Sequence, residues 1–404
     1  MQITRKGFLR SVLGTAVGSG LGMRAMEALA QAQQVAGGHP RQTRIGEVTT
    51  WPFTMQQKET IRNALGTMGA DNVLVRLRTN DGVTGWGESS PFSAVMAETQ
   101  ATDVAAAKHL AEMVKGGDPF TIPKIALEMD NFSPGNPGIK AAFEMALWDI
   151  VGKIAGQPVR RLLGSFRDSF LTDRTVYLDT PEVMAEKATR ISDAGFKVVK
   201  VKLGEAPEYD IQRLGAVRAA LGPHINLRID ANQGWTAAMA VQALKGLEQF
   251  RVEFCEQPVP YWDWEGLRFV RERSPIPIMA DESVHSPHDA IEAIRRNACD
   301  MINIKLMKTG GILNAMRVAQ IAAAANMNCM LGCMSEIRVA LTAAAHVVAA
   351  SPNVLYADLD AFTEYDVDPV VGGMQLRDGS LSLPETAGLG LDIDSGWLNS
   401  LHSA

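Results

Sequence analysis

A chain of 404 residues is too long for one small domain and suits a large domain with a smaller companion. A hydrophobic content of 46% and a charged content of 21% are ordinary for a globular protein, and a formal charge of −6 leaves no basic footprint for nucleic acid or an anionic membrane. Four cysteines with no CxxC or HExxH phrase exclude a disulfide scaffold and argue against a zinc site.

Residues 1–32 read as an export signal. Arg5, Lys6 and Arg10 make a basic start, residues 11–23 are small and apolar, and Ala28-Leu29-Ala30 and Ala30-Gln31-Ala32 offer cleavage sites. The phrase TRKGFLR resembles the twin-arginine export motif with Lys6 in place of the second arginine. A periplasmic location follows, by that route or the Sec route. The apolar run is too short to span a membrane, and no membrane span is expected. Residues 33–42, rich in Gly, Pro and Gln, read as a linker.

Residues 43–160 carry strands first and helices after. Strands are expected over 43–53 and 71–87, the second folding as a hairpin at Asn80-Asp81-Gly82, with a polar, glycine-bearing loop between them. Helices are expected over 97–116, 120–130 and 141–156, the last ended by Gly156. That order makes a compact α+β domain.

Across residues 161–360 the pattern becomes strict alternation. Strands are expected to begin near 175, 198, 226, 252, 276, 301, 328 and 356, with helices at 181–194, 208–221, 236–248, 263–272, 286–296, 311–325 and 337–350. Eight strands with seven intervening helices point to an α/β fold, a modified (β/α)7β TIM-like barrel. An open doubly wound sheet would share the alternation, but no glycine-rich phosphate turn follows the first strand. The tail, 361–404, is expected to fold back on the N-terminal domain.

Five phrases end strands on a charged residue: VVKVKLG, LRIDANQGW, FCEQPVP, IMADESV and INIKLMKTGG. Lys202, Asp230, Glu256, Asp281 and Lys305 follow one another at intervals of 24 to 28 residues, the period of one strand-plus-helix unit. In such a barrel they meet at the C-terminal ends of the strands. Asp230, Glu256 and Asp281 are three hard oxygen ligands, which favour Mg²⁺ with Mn²⁺ as the alternative. Lys200 and Lys202 alternate with valines and so point inward together, and Lys305 ends its strand in the same way. An ammonium beside a cation is expected to have a lowered pKa, as a general base requires. Lys308 is read as a solvated loop charge. A metal holding a substrate carboxylate between two lysines defines a class of reaction, removal of the α-proton with an enediolate held by the metal. One base allows elimination or cycloisomerisation. Two bases on opposite faces invert the stereocentre.

Together these phrases resemble the enolase superfamily, muconate-lactonizing subgroup, over essentially all of residues 43–390. The resemblance implies Mg²⁺, an N-terminal α+β capping domain over the barrel mouth, and Lys202 and Lys305 as the acid/base pair. It leaves open muconate cycloisomerase, o-succinylbenzoate synthase, N-acylamino acid racemase and dipeptide epimerase. Asp358 and Asp360, in the phrase LYADLD, resemble the dipeptide epimerase motif that binds the α-ammonium of a dipeptide. Period two puts both on one face, ready for a cation. The resemblance then implies a small-molecule dipeptide substrate, L-Ala-D/L-Glu or similar, touched by Thr175, Lys200, Cys333 and Ser335. Arg62, in the loop 53–71, is expected to pair with an acidic substrate side chain, whereas Glu364, Asp366 and Asp368 favour a cationic dipeptide. A homo-oligomer is expected. The reading from another class is a periplasmic peptide-binding protein without catalysis, against which the acids and lysines argue.

Overall fold

The computed structural model describes residues 43–403. The export signal of 1–32 and the linker of 33–42 lie outside the described residues. Among those described, no helix is long and apolar enough to cross a membrane.

The first strand, β1 (Ile45–Thr54), is followed by a short ribbon of β2 (Ile61–Asn63) and β3 (Gly66–Met68), then by β4 (Asp71–Thr79) and β5 (Thr84–Ser89). β1, β4 and β5 form an antiparallel sheet in the order β1-β4-β5. The β2–β3 ribbon occupies the segment read from sequence as loop. Its turn closes because the Asn63 side chain accepts the Leu65 N–H at 2.8 Å and Gly66 adopts φ +121°. Helix Pro137–Ala155 lies so close to β5 that a Cβ at Gly85 or Gly87 would meet the Ala146 or Ala142 carbonyl at 2.1 or 1.8 Å. It begins four residues before the expected start, with Pro137 in its first turn, where the missing N–H costs nothing.

After the short β6 (Ser169–Leu171), eight parallel strands follow. They are β7 (Arg174–Val176), β8 (Val198–Lys202), β9 (Asn226–Asp230), β10 (Val252–Glu256), β11 (Ile278–Ala280), β12 (Met301–Ile304), β13 (Asn328–Leu331) and β14 (Val354–Ala357). They pair in simple sequence order, β7 through β14. The seven helices between them run Pro181–Asp193, Pro207–Leu221, Ala237–Leu247, Trp264–Arg271, Pro287–Arg296, Ile312–Ala324 and Arg338–Ala350. Thr180, Thr236, Asp263 and Ser286 cap four of these helices through their side chains. The sheet curls until its ends approach. The Asp173 N–H donates to the Ala357 carbonyl at 3.2 Å, and the Arg228 guanidinium spans Asp173 (2.8 Å) and Ala357 O (3.1 Å) across the seam. The fold is the expected modified barrel.

After β14 the chain makes a short 3-10 turn, Ala361–Glu364, in place of an eighth helix. The tail forms β15 (Val370–Gly372), β16 (Gln375–Arg377), β17 (Ser380–Ser382), β18 (Leu391–Ile393) and helix Ser395–Ser400. β17 pairs with β6 and β15 with β18. Trp397 packs edge-on to Phe53 at 5.3 Å, and Trp86 Nε1 donates to Asp392 at 2.8 Å.

Buried carboxylates of the N-terminal domain bind the barrel helices. Helices Ile312–Ala324 and Arg338–Ala350 have no side-chain cap of their own. Glu144 accepts the Leu313 N–H at 2.8 Å, and Glu88 accepts those of Ile337 (2.8 Å) and Ala340 (3.0 Å). Part of each helix start's free N–H complement is thus satisfied from the other layer.

Candidate active site

Alternation carries inward-facing side chains up the barrel in layers. Phe254, Met279, Met301, Met330 and Tyr356 fill the floor, with the Arg228 guanidinium over Phe254 and Tyr356. Two residues beyond Arg228, Phe254 and Met279 stand Asp230, Glu256 and Asp281, all fully buried.

Each of these carboxylates has one oxygen tied to the scaffold. Asp230 Oδ1 accepts the Asn232 N–H at 2.8 Å, across a turn in which Asn232 takes φ +39°. Glu256 Oε1 accepts from Asn303 Nδ2 at 2.7 Å, and Asp281 Oδ1 from Lys308 Nζ at 2.5 Å. The other oxygen of each meets ammonium groups. Asp230 Oδ2 lies 2.7 Å from Lys202 and 3.1 Å from Lys200, Glu256 Oε2 lies 2.8 Å from Lys200, and Asp281 Oδ2 lies 2.8 Å from Lys305. Those contacts leave Glu256 Oε2 and Asp281 Oδ2 without an aligned hydrogen-bond donor. Three hard oxygens spared by the scaffold fit a divalent cation of the Mg²⁺ type.

Burial alone would raise the pKa of Asp230, but the Lys202 and Lys200 ammoniums outweigh it and hold the group low. Asp281 is held low in the same way, burial being overcome by Lys305 and Lys308. Burial pushes Glu256 up to about 8, with the Asp230 charge adding to it. Burial favours neutral Lys200 and Lys305, yet the surrounding carboxylates outweigh it, Asp358 and Glu256 for Lys200 and Asp281 and Glu256 for Lys305, and both are raised. With only the protein's own charges present, the carboxylates decide the sign.

A narrow cavity of about 30 Å³ opens above this layer. Lys202, Lys305, Thr175, Cys333, Asp358 and Asp360 are on its wall, with Asn232 and Glu282. β8 and β12 are separated by three strands, so Lys202 and Lys305 face each other across the curled sheet. Leu65 and Met68 of the β2–β3 ribbon, with Phe92 and Val95, bring apolar surface to the same cavity, and Asn63 lines it beside them. Asp358 and Asp360 are partly engaged. Asp358 Oδ2 accepts from Lys200 Nζ at 2.6 Å, and Asp360 Oδ2 accepts the Thr175 N–H at 2.8 Å. Together with Cys333 they present three ligand atoms within 4.8 Å of one another.

Asp230, Glu256 and Asp281 are not among the residues on this wall, and neither are Lys200, Ser335 and Arg62. Lys200 is buried behind it, its ammonium spent on Asp230, Glu256 and Asp358. Ser335 faces the N-terminal domain, its N–H on Ser90 Oγ and its carbonyl taking Asn72 and Tyr365. Arg62 is half exposed and pairs with Glu205. The acids of the following segment also turn elsewhere. Glu364 holds Arg174 at 3.1 Å, Asp368 pairs with Arg338, and Asp366 is exposed.

Lys308 is not a solvated charge. The four-residue helix Leu306–Thr309 turns it back into the protein, 2% exposed, where it donates to Asp281 Oδ1 and Asp281 O (2.5 Å each) and to Asn303 O at 3.0 Å. Asn303 and Gln257 were also passed over. Gln257 Oε1 accepts the N–H groups of Asp281 (2.8 Å) and Ser283 (3.2 Å), joining the ends of β10 and β11. Asn303 could have been found by counting, since Met301, Asn303 and Lys305 share the inward face of one strand.

The family pattern described as mandelate racemase/muconate lactonizing enzyme, N-terminal domain, matches residues 46–164, and that described as enolase C-terminal domain-like matches 183–397. The chain belongs to the enolase superfamily, in its mandelate racemase/muconate lactonizing branch. This enolase superfamily member is an enzyme of the isomerase class, as its relatives are. It is 41% identical to a hydrophobic dipeptide epimerase of Enterococcus faecalis over 86% of this chain and 99% of that protein. A dipeptide epimerase from Cytophaga hutchinsonii, solved with Mg and D-Ala-L-Val, superposes with a TM-score of 0.88 at 38% identity, covering 89% of this chain and 99% of that one. The Enterococcus faecalis dipeptide epimerase, solved with Mg and L-Leu-L-Tyr, superposes with a TM-score of 0.85 at 41% identity, covering 86% and 99%.

Proposed function

We propose that this enzyme is a Mg²⁺-dependent dipeptide epimerase that inverts the α-carbon of the C-terminal residue of an L,L-dipeptide. The observation that carries the reading is the pair Lys202 and Lys305, both on the cavity wall and each within hydrogen-bond reach of a buried carboxylate oxygen, of Asp230 and Asp281 respectively. Asp230, Glu256 and Asp281 would hold the metal by the oxygens that the scaffold leaves free. Bound there, Mg²⁺ supplies Lewis acidity that draws charge from the substrate carboxylate and makes the α-proton acidic enough to remove. One lysine takes that proton from one face, and the other returns a proton to the opposite face. Lys200 balances the buried carboxylates and keeps Asp358 ionised. Asp358 and Asp360 hold the α-ammonium at the other end of the dipeptide by charge-assisted hydrogen bonds.

The cavity's apolar surface, Leu65, Met68, Phe92 and Val95, favours a hydrophobic substrate. It carries no arginine for an acidic side chain, and the acids at 364, 366 and 368 that would favour a cationic one lie off its wall. The relatives named for hydrophobic dipeptides and for L-Leu-L-Tyr support that preference.

The purified protein, incubated with Mg²⁺ and a pooled set of L,L-dipeptides in D₂O, should take deuterium at one α-carbon and yield the second diastereomer, read by mass and chiral chromatography. Absence of exchange in every dipeptide would sink the reading. The proposal also places the enzyme in the periplasm, exported by residues 1–32, as a homo-oligomer. Cell fractionation with mass spectrometry of the mature N-terminus, and light scattering, test those two parts.

A further inference from the structure

Lys202 and Lys305 are not held alike. The Lys202 ammonium meets Asp230 Oδ2 at 2.7 Å. The Lys305 ammonium meets Asp281 Oδ2 at 2.8 Å and has a further contact, Met334 Sδ at 4.0 Å. Met334 is buried, and with Cys333 it forms the part of the cavity wall that follows β13. The aim of the Lys305 ammonium therefore depends on where the segment 333–336 lies.

That segment is irregular backbone between β13 and helix Arg338–Ala350, and it is pinned from outside the barrel. The Ser335 carbonyl accepts the Tyr365 hydroxyl at 2.6 Å and the Asn72 amide at 2.8 Å. Tyr365 is 4% exposed, and burial raises the pKa of its phenol, so the hydroxyl keeps the proton it donates. The same residue is tied to the chain that leads into the β2–β3 ribbon. Its backbone bridges Gln57, flanked by the Lys58 N–H on the Glu364 carbonyl at 2.9 Å and the Asp366 N–H on the Gln56 carbonyl at 3.3 Å. That ribbon puts Leu65 and Met68 on the cavity wall. Tyr365 thus stands between the ribbon that lines the cavity and the loop that borders one of its two lysines.

We infer that Tyr365 is a positioning residue for Lys305: its hydroxyl, through the Ser335 carbonyl and Met334, sets the aim of that ammonium and not that of Lys202. The inference rests on the two-base epimerase reading and deepens it, since it gives the two faces of the α-carbon separate supports. Proton transfer needs its partners in hydrogen-bond reach and alignment, so a misplacement of about 1 Å can cost about 100-fold. Loss of the hydroxyl leaves Asn72 on the same carbonyl, so the loop loosens without orphaning a buried acceptor.

The test follows the initial loss of the α-proton in D₂O from each diastereomer of one dipeptide separately. Exchange by Lys202→Ala identifies the diastereomer that Lys305 deprotonates, and exchange by Lys305→Ala identifies that of Lys202. Tyr365→Phe should lose at least about tenfold in kcat on the Lys305 diastereomer and stay within about twofold of wild type on the other. A general loosening of the fold would slow both alike. Equal losses on the two faces, or no loss on either, overturn the inference. If Tyr365→Phe does not fold, Met334→Leu decides, because it removes the sulfur contact at the other end of the same chain of bonds and should show the same preference. Lysine variants that do not separate the diastereomers overturn the two-base mechanism and this inference with it. Equal effects of Tyr365→Phe in an enzyme whose lysine variants do separate them sink this inference alone.

Discussion

Asn303 never reaches the cavity, yet it fixes which oxygen of Glu256 faces inward. Its amide donates to Glu256 Oε1 at 2.7 Å, while its backbone carbonyl takes Lys308, which in turn fixes Asp281. Asn303→Ala should weaken Mg²⁺ binding by about 10- to 100-fold in a calorimetric titration, because residues that orient metal ligands carry effects of that size. An affinity within about twofold of wild type would mean that Glu256 is positioned by something else. That Asp230, Glu256, Asp281, Lys202 and Lys305 converge was legible from their spacing of one strand-plus-helix unit, and that Asp358 and Asp360 share a face was legible from period two. Lys308 was not legible, since four residues of helix decide whether it faces water or Asp281. Nor was the fate of Arg62, whose partner Glu205 is 143 residues away.

At the scale of elements, the strands and helices of the barrel followed from alternation, and their observed starts lie within two residues of the expected ones. The β2–β3 ribbon escaped because three-residue strands carry no periodicity. Its turn chemistry, Asn63 before Gly66, was the signal available. The cross-layer caps were also invisible. Nothing marks Glu88 in the phrase WGESS as the acceptor for a helix that starts 250 residues later. Glu88→Ala should cost at least about 2 kcal/mol in urea unfolding, since it leaves the Ile337 and Ala340 N–H groups buried without a partner. A loss below about 0.5 kcal/mol would show that water replaces the carboxylate.

At the scale of the whole molecule, the tail closes the structure against both layers, and His346 reports on that closure. Its Nδ1 accepts the Arg160 N–H at 3.0 Å, and its Nε2 faces the Leu389 carbonyl at 3.3 Å, so the neutral ring with hydrogen on Nε2 satisfies both partners. Burial lowers its pKa to about 4, against about 6.5 for an unfolded histidine. Between those values the unfolded chain binds the extra proton, so stability rises with pH across the window and is lost as pH falls through it. The urea midpoint should therefore drop from pH 7 to pH 5, and His346→Gln should drop less. Equal drops in the two proteins would place the acid sensitivity elsewhere. The tail's position was expected from its place in the chain alone, and its contacts, Trp397 on Phe53 and Asp392 on Trp86, are too distant in sequence to be read.

In the proposed mechanism Lys202 and Lys305 work on opposite faces of one α-carbon. The most direct measurement is α-proton exchange in D₂O for Lys202→Ala and Lys305→Ala, each given the two diastereomers of one dipeptide separately. Neither variant should epimerise, and each should exchange deuterium into only one diastereomer, a different one for each lysine. Epimerisation at the wild-type rate by either variant, or exchange of the same diastereomer by both, would contradict it.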